Sequence, residues 1–178
     1  MNVPRYEPCA RFWHCAASVE GLVYIRGGNI TDFNSENSRK QLVTSIEEFD
    51  PISDMWRQLT TKGDAHPGLS AVACTSFGGY LYVFGGFDGE KLYCTLSRLE
   101  LKTLTWSKLS AVAEDGPMRK DASGMVHFDS DKLAVIGGYG CPGDGQIQPG
   151  SLFIPNERFT DGTGWTNEIH VFDIYAGS

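Results

Sequence analysis

Four histidines, five cysteines and a few evenly recurring acids are the residues of this chain that could hold a metal, attack an electrophile or move a proton. Their spacing argues against each chemistry. His14, His66, His127 and His170 stand far apart, without the short interval that sets two imidazoles on one metal ion. Cys9, Cys15, Cys74, Cys94 and Cys141 include no C-x-x-C, and an odd number cannot all pair, so neither a zinc site nor a disulfide framework is implied. Reduced thiols in a cytosolic or nuclear protein are the expectation. The opening M-N-V-P-R-Y-E-P-C-A-R, which lacks the apolar run of a secretory leader, agrees with it. There is no G-x-S-x-G nucleophile turn and no glycine-rich loop opening a helix. Asp50, Glu100 and Asp173 each close an apolar run just before a turn, which is how a structural turn former recurs. The chain is therefore expected to be non-catalytic, with no metal and no cofactor.

At 178 residues, 41% hydrophobic and 12% aromatic, the chain is long enough for one domain with a sizeable core. Its net charge of −7 speaks against a nucleic-acid partner, which needs a basic stripe, and against a polybasic membrane patch. The 19 uncharged residues from Leu69 to Phe87 could span a bilayer by length alone. Two Gly-Gly pairs and interspersed Ser, Thr and Cys instead predict two strands joined by a turn.

The element that organises the rest is Tyr80 to Gly89, Y-L-Y-V-F-G-G-F-D-G. Five apolar residues stopped by two glycines read as a strand covered on both faces. The chain then repeats this pattern. Gly27-Gly28, Gly85-Gly86 and Gly137-Gly138 are separated by 58 and 52 residues, and S-V-E-G-L-V-Y-I-R-G-G aligns without a gap on S-F-G-G-Y-L-Y-V-F-G-G. Each pair follows a small-residue segment, beginning at His14, Ala71 and Ala122, that reads as a partner strand. Downstream, I-E-E-F-D-P-I-S-D-M-W-R-Q-L matches L-S-R-L-E-L-K-T-L-T-W-S-K-L at an offset of 50, so that Trp56 and Trp106 each follow an acid by six residues. A third copy, I-H-V-F-D, places its Trp one position past Ser178. Four short strands per roughly 50-residue repeat is the arithmetic of a β-propeller blade.

These residues resemble kelch repeats: Arg11 and His14 as R-x-x-H, the three glycine pairs, the F-D or L-E dipeptides, and the spaced Trp56 and Trp106. The resemblance runs from about residue 11 to 173. It implies an all-β partial propeller of about three blades (near 11–60, 67–110 and 117–178) behind a lead-in of residues 1–10, with the last strand of the third blade missing. Because known propellers close with four to eight blades, continuation of the natural protein beyond Ser178 is expected. The copies differ in three places. Arg26 replaces an apolar residue before the first glycine pair, Leu69 and Val72 stand where the first copy has Arg11 and His14, and Leu99-Glu100 replaces Phe-Asp.

The distance from the second glycine to the apolar residue before the acid is 21, 13 and 34 residues in the three copies. The second blade is thus the minimal form, and the third carries a long insert from Gly140 to Gly164, a length that marks either a binding loop or a solvated excursion. With G-G-Y-G before it and G-W-T-N-E-I-H-V-F-D after it, this blade resembles that of kelch-domain-containing proteins 2 and 3. Members of that group act as substrate receptors of cullin-RING ubiquitin ligases. The likeness implies that Tyr139 and Trp165 line a peptide pocket, as rigid aromatic walls can. Kelch propellers also place polar residues at the channel rim, which makes Arg11, His14 and Arg119 (with Lys120) candidates for a protein or peptide ligand. The expected role is an adaptor or scaffold that binds protein through its loops, with a ligase substrate receptor as the alternative. A propeller oxidase is a more distant one, since nothing here identifies its Tyr-Cys pair and histidine ligands.

Overall fold

The computed structural model describes residues 5–31, 40–109, 119–141 and 164–174, and every regular element among them is a strand. The first repeat holds β1 (Cys15–Val19), β2 (Leu22–Arg26), β3 (Asn29–Thr31), β4 (Lys40–Leu42), β5 (Ile46–Asp50) and β6 (Met55–Leu59). The second holds β7 (Lys62–Gly63), β8 (Ala73–Phe77), β9 (Tyr80–Phe84), β10 (Leu96–Glu100) and β11 (Thr105–Lys108). The third holds β12 (Arg119–Asp121), β13 (Gly124–Phe128), β14 (Lys132–Ile136), β15 (Tyr139–Cys141), β16 (Gly164–Trp165) and β17 (Ile169–Asp173).

Each repeat forms one antiparallel sheet: β1-β2-β5-β6, β8-β9-β10-β11 with β7 added in parallel at its outer edge, and β13-β14-β17. Among the described residues the third sheet has three strands. The first strands β1, β8 and β13 are neighbours, so the sheets fan out from a common axis. The uncharged stretch Leu69–Phe87 folds as β8, a Gly78-Gly79 turn and β9. No helix among the described residues is long and apolar enough to cross a membrane.

The core is layered between sheets. Cys15, Tyr24 and Ile46 of the first sheet meet Val72, Leu81, Val83, Leu99 and Trp106 of the second. On its other side, Ala73, Tyr82, Phe84 and Leu96 meet Leu133, Val135 and Ile174 of the third. Strand β9 sends Leu81 and Val83 one way and Tyr82 and Phe84 the other, all at most 1% exposed, because alternate residues face opposite sides of a strand. That is the physical reason for an uninterrupted apolar run. Burying an aliphatic or Phe side chain of this kind contributes about 1.5–3 kcal/mol.

The glycine pairs make the seams. In the first two copies the second glycine donates its N–H to the residue that leads into the next sheet: Gly28 to the Leu69 carbonyl at 2.7 Å and Gly86 to the Lys120 carbonyl at 2.8 Å. The first glycine of each pair lies so close to that same carbonyl that a Cβ would overlap its oxygen. A second line of bonds runs beside this one. Trp13, Ala71 and Ala122 all hold left-handed φ (59°, 51° and 49°). Ala71 donates to the Trp13 carbonyl and Ala122 to the Ala71 carbonyl, each at 2.8 Å.

Arg26, the departure before the first glycine pair, is accommodated inside the first seam. It is 2% exposed, donates to the carbonyls of His66 (2.6 Å) and Gly68 (2.8 Å), and lies 5.3 Å from the Trp106 ring centre. Trp106 itself is buried in the first seam, while Trp56 stacks on Phe49 at 4.7 Å, on the other face of the first sheet. On the third sheet, Ile136 and Ile169 are 44% and 66% exposed, whereas their counterparts Phe84 and Leu96 are 1% and 2% exposed beneath that sheet.

The seam geometry separates two glycines that both hold left-handed φ, +69° and +85°. Gly27→Ala, forced against Leu69, is expected to cost more than about 3 kcal/mol in urea unfolding, or to abolish folding. Gly21→Ala, at φ +85° with open space around it, is expected to cost only about 1–2 kcal/mol. Equal losses would show that the seam contact does not matter.

Candidate functional site

Of the residues proposed for binding, His14, Arg119, Tyr139 and Trp165 lie in or beside the ribbons at the end of the fan where the seams lie. There each repeat adds a small ribbon. Phe12 bridges to Asn29 beside the β3–β4 hairpin, Ser70 bridges to Phe87 and Phe87 to Leu92, and β12-β15-β16 forms a three-stranded ribbon. The three ribbons are structurally equivalent, which explains the unequal intervals in the sequence: the second is reduced to single bridges and the others are extended. Most of the third-repeat insert, residues 142–163, lies outside the described residues.

Tyr139 and Trp165 are directly paired across β15 and β16, their rings 5.7 Å apart and edge-on. Tyr139 is 1% exposed and packs with Leu92, Phe87 and Trp165, while Trp165 is half-buried. Tyr139 thus anchors the ribbon from beneath and Trp165 forms its edge. Arg119 belongs to the same ribbon, opposite Cys141. His14 is exposed beside Gly28. Arg11 does not face the rim. Its guanidinium is 6% exposed and grips the buried Glu47 with two bonds of 2.9 Å, reinforced on Glu47 by Tyr6 and Ser45. That bidentate geometry is the strong form of an ion pair, and it pins the lead-in to the first sheet.

The sequence reading missed several groups. Phe12 and Trp13 form an edge-on pair at 5.0 Å and are 36% and 49% exposed at the seam end. Trp13 holds the left-handed position that the other repeats fill with alanine, and no short sequence signal marks such a residue. Lys120, named with Arg119 as a rim candidate, is instead fully buried and reaches Glu168 at 3.2 Å. Asp121 is 5% exposed, and its Oδ1 has no hydrogen-bond partner among the described residues. Burial pushes its carboxyl up to about 7. Asp88 shows the opposite case: despite part burial, the Tyr93 hydroxyl and the N–H groups of Lys91 and Glu90 hold its carboxyl below the usual value.

The histidines are dispersed. His66 is buried and bonded to Ser97 and the Gly85 carbonyl, with burial and then the Arg26 charge lowering it to about 3. His127 stacks on Phe77 at 3.8 Å, and His170 lies against Phe172. Among the described residues no group of three or more His, Cys, Asp or Glu is placed to hold a metal ion. At the opposite, hairpin-turn end, a cleft of about 450 Å³ opens between the first two sheets, lined by Glu20, Leu22, Tyr24, Tyr80, Glu100 and Lys102 among others.

Residues 13–177 match a family model described as the KLHDC2/KLHL20/DRC7 Kelch-repeats domain. Kelch domain-containing protein 1 of Homo sapiens is 26% identical over 170 residues, covering 92% of this chain and 41% of that protein. Its Mus musculus counterpart is 27% identical with the same coverage. Acyl-CoA-binding domain-containing protein 4 of Arabidopsis thaliana is 32% identical over 132 residues, 74% of this chain and 18% of that protein. The chain therefore spans less than half the length of the curated relatives it matches.

Asp121 generates a pH prediction. Its folded value of about 7 lies above the ordinary 3.8, so the folded chain keeps a proton that the unfolded chain gives up. Stability from this residue is fully present below about pH 4, declines as pH rises towards 7, and is gone above that. Asp121→Asn is expected to leave stability unchanged near pH 3.5. At about pH 8 it should raise stability by as much as about 4 kcal/mol, read from urea unfolding across pH. A constant difference at all pH values would contradict the assignment.

Proposed function

The chain belongs to the kelch-repeat family, and from that premise we propose that the seam end of this propeller segment binds a protein or peptide, in an adaptor or scaffold role without catalysis. Kelch repeats serve as protein-interaction modules, and the scattered histidines and net charge of −7 support a binding role over a reaction or a nucleic-acid partner. A reduced, cytoplasmic or nuclear setting suits its unpaired buried cysteines.

One observation carries the reading. Trp13 projects a large half-exposed aromatic from a backbone position where a bulky residue is strained and where the equivalent residues are Ala71 and Ala122. Strain kept at a rim position, with rigid aromatic area presented to solvent, is what a contact residue requires. Phe12, His14, Arg119 and Trp165 extend the surface around the same end, with Tyr139 as the support under Trp165.

The narrower reading, a substrate receptor of a cullin-RING ligase, draws support from the Tyr139–Trp165 pair flanking the long insert. It requires a ligase-docking element outside these residues.

Affinity capture with the whole protein tests both. Trp13→Ala and Trp165→Ala are expected to lower recovery of the bound partner about tenfold, with the folded state intact for Trp13→Ala because alanine already fills the equivalent sites. Unchanged recovery with both variants would remove the seam end from consideration. Co-recovery of a cullin scaffold would select the ligase reading, and its absence would leave the adaptor.

A further inference from the structure

The seam between the first two sheets contains a charge without a counter-charge. Arg26 is 2% exposed, yet no carboxylate among the described residues lies within ion-pair distance, and its Nε has no hydrogen-bond partner. A buried guanidinium in that state is costly unless an anion stands nearby. Beyond two carbonyls and the Trp106 ring, it faces sulfurs. Cys15 is directly opposite Arg26 in the β1–β2 register, and side chains so paired lie on one face about 5 Å apart. Cys74, on the neighbouring strand β8, packs against the same buried cluster that holds Cys15. His66, which also approaches Arg26, is held neutral.

We infer that Cys15 and Cys74 form a peroxide-oxidisable pair, with Arg26 as the activating cation, whose disulfide would clasp the first two blades together. The neighbouring Cys74 thiol and the Arg26 charge lower the Cys15 thiol against the effect of burial, and the Cys74 thiol is raised. Cys15, directly opposite the Arg26 guanidinium, is the attacking sulfur and Cys74 the resolving thiol.

The steps balance. The Cys15 thiolate attacks one oxygen of hydrogen peroxide, an S–O bond forms, the O–O bond breaks, and the departing hydroxide takes a proton to become water. The Cys74 sulfur then attacks Cys15, the S–S bond forms, the S–O bond breaks, and the hydroxyl leaves with the Cys74 proton as a second water. Two cysteines are oxidised and one peroxide is reduced.

Exposure of the native chain to hydrogen peroxide, followed by thiol blocking and non-reducing peptide mapping, tests this. The expected product is a Cys15–Cys74 crosslink that dithiothreitol reverses, formed ahead of any bond to Cys9, Cys94 or Cys141. Arg26→Met should slow it about tenfold, and Cys74→Ser should halt oxidation at oxygen adducts on Cys15. In urea the preference for this pair should vanish. A native chain that gives no such crosslink, or that pairs its cysteines with the same pattern native and unfolded, overturns the inference. So does Cys15→Ser if Cys74 still oxidises at the original rate.

Discussion

The whole arrangement depends on one close approach: a glycine pair laid against the backbone carbonyl that leads into the next sheet. Gly28 and Gly86 supply the N–H, and Gly27 and Gly85 leave the space that lets the oxygen come near. A side chain at the first position of the pair would push neighbouring sheets apart and open the apolar layers behind them, and one at the second would collide with the lead-in of its own repeat. The left-handed residues Trp13, Ala71 and Ala122 tie a second line of main-chain bonds along the same seams. Together these bonds satisfy polar groups that the packing of sheet on sheet removes from water.

Side-chain polarity at the seams follows a separate pattern. Arg26, His66, Lys120 and Asp121 are all nearly or fully buried near the entrances to the second and third sheets, where an apolar residue would serve packing as well. Most find carbonyls, hydroxyls or a partly exposed acid as partners, and Asp121 is left with one oxygen unpaired. Buried polar groups with directional partners favour one alignment of neighbouring sheets over slipped alternatives, at some cost in stability.

Much of this was legible in the sequence. Glycine pairs at near-constant spacing, the doubly covered Tyr80–Phe84 strand and the Trp six residues after each acid announce the sheets and their order, because those features follow from local sterics and burial. The candidate site was legible only in part. The motif flanking the insert singles out Tyr139 and Trp165, but it cannot say that they pair across two strands or that Tyr139 lies beneath the surface. Arg11 looked like a rim residue because its repeat position suggested one, and its partner Glu47, 36 positions away, is visible only once the lead-in is seen to lie along the first sheet. Trp13 escaped notice because left-handed backbone at a non-glycine residue depends on the seam bonds, which are a tertiary property.

The polar connections between neighbouring sheets are made largely by main-chain atoms, and this has an evolutionary consequence. A backbone amide and carbonyl are the same in every copy, so a duplicated unit arrives already able to join its neighbour, and only glycine must be kept for the joint to close. Side chains between units can then drift, as the exchange of an aromatic for an arginine at positions 84 and 26 illustrates. Architectures joined in this manner can lengthen by gene duplication without first inventing a new interface.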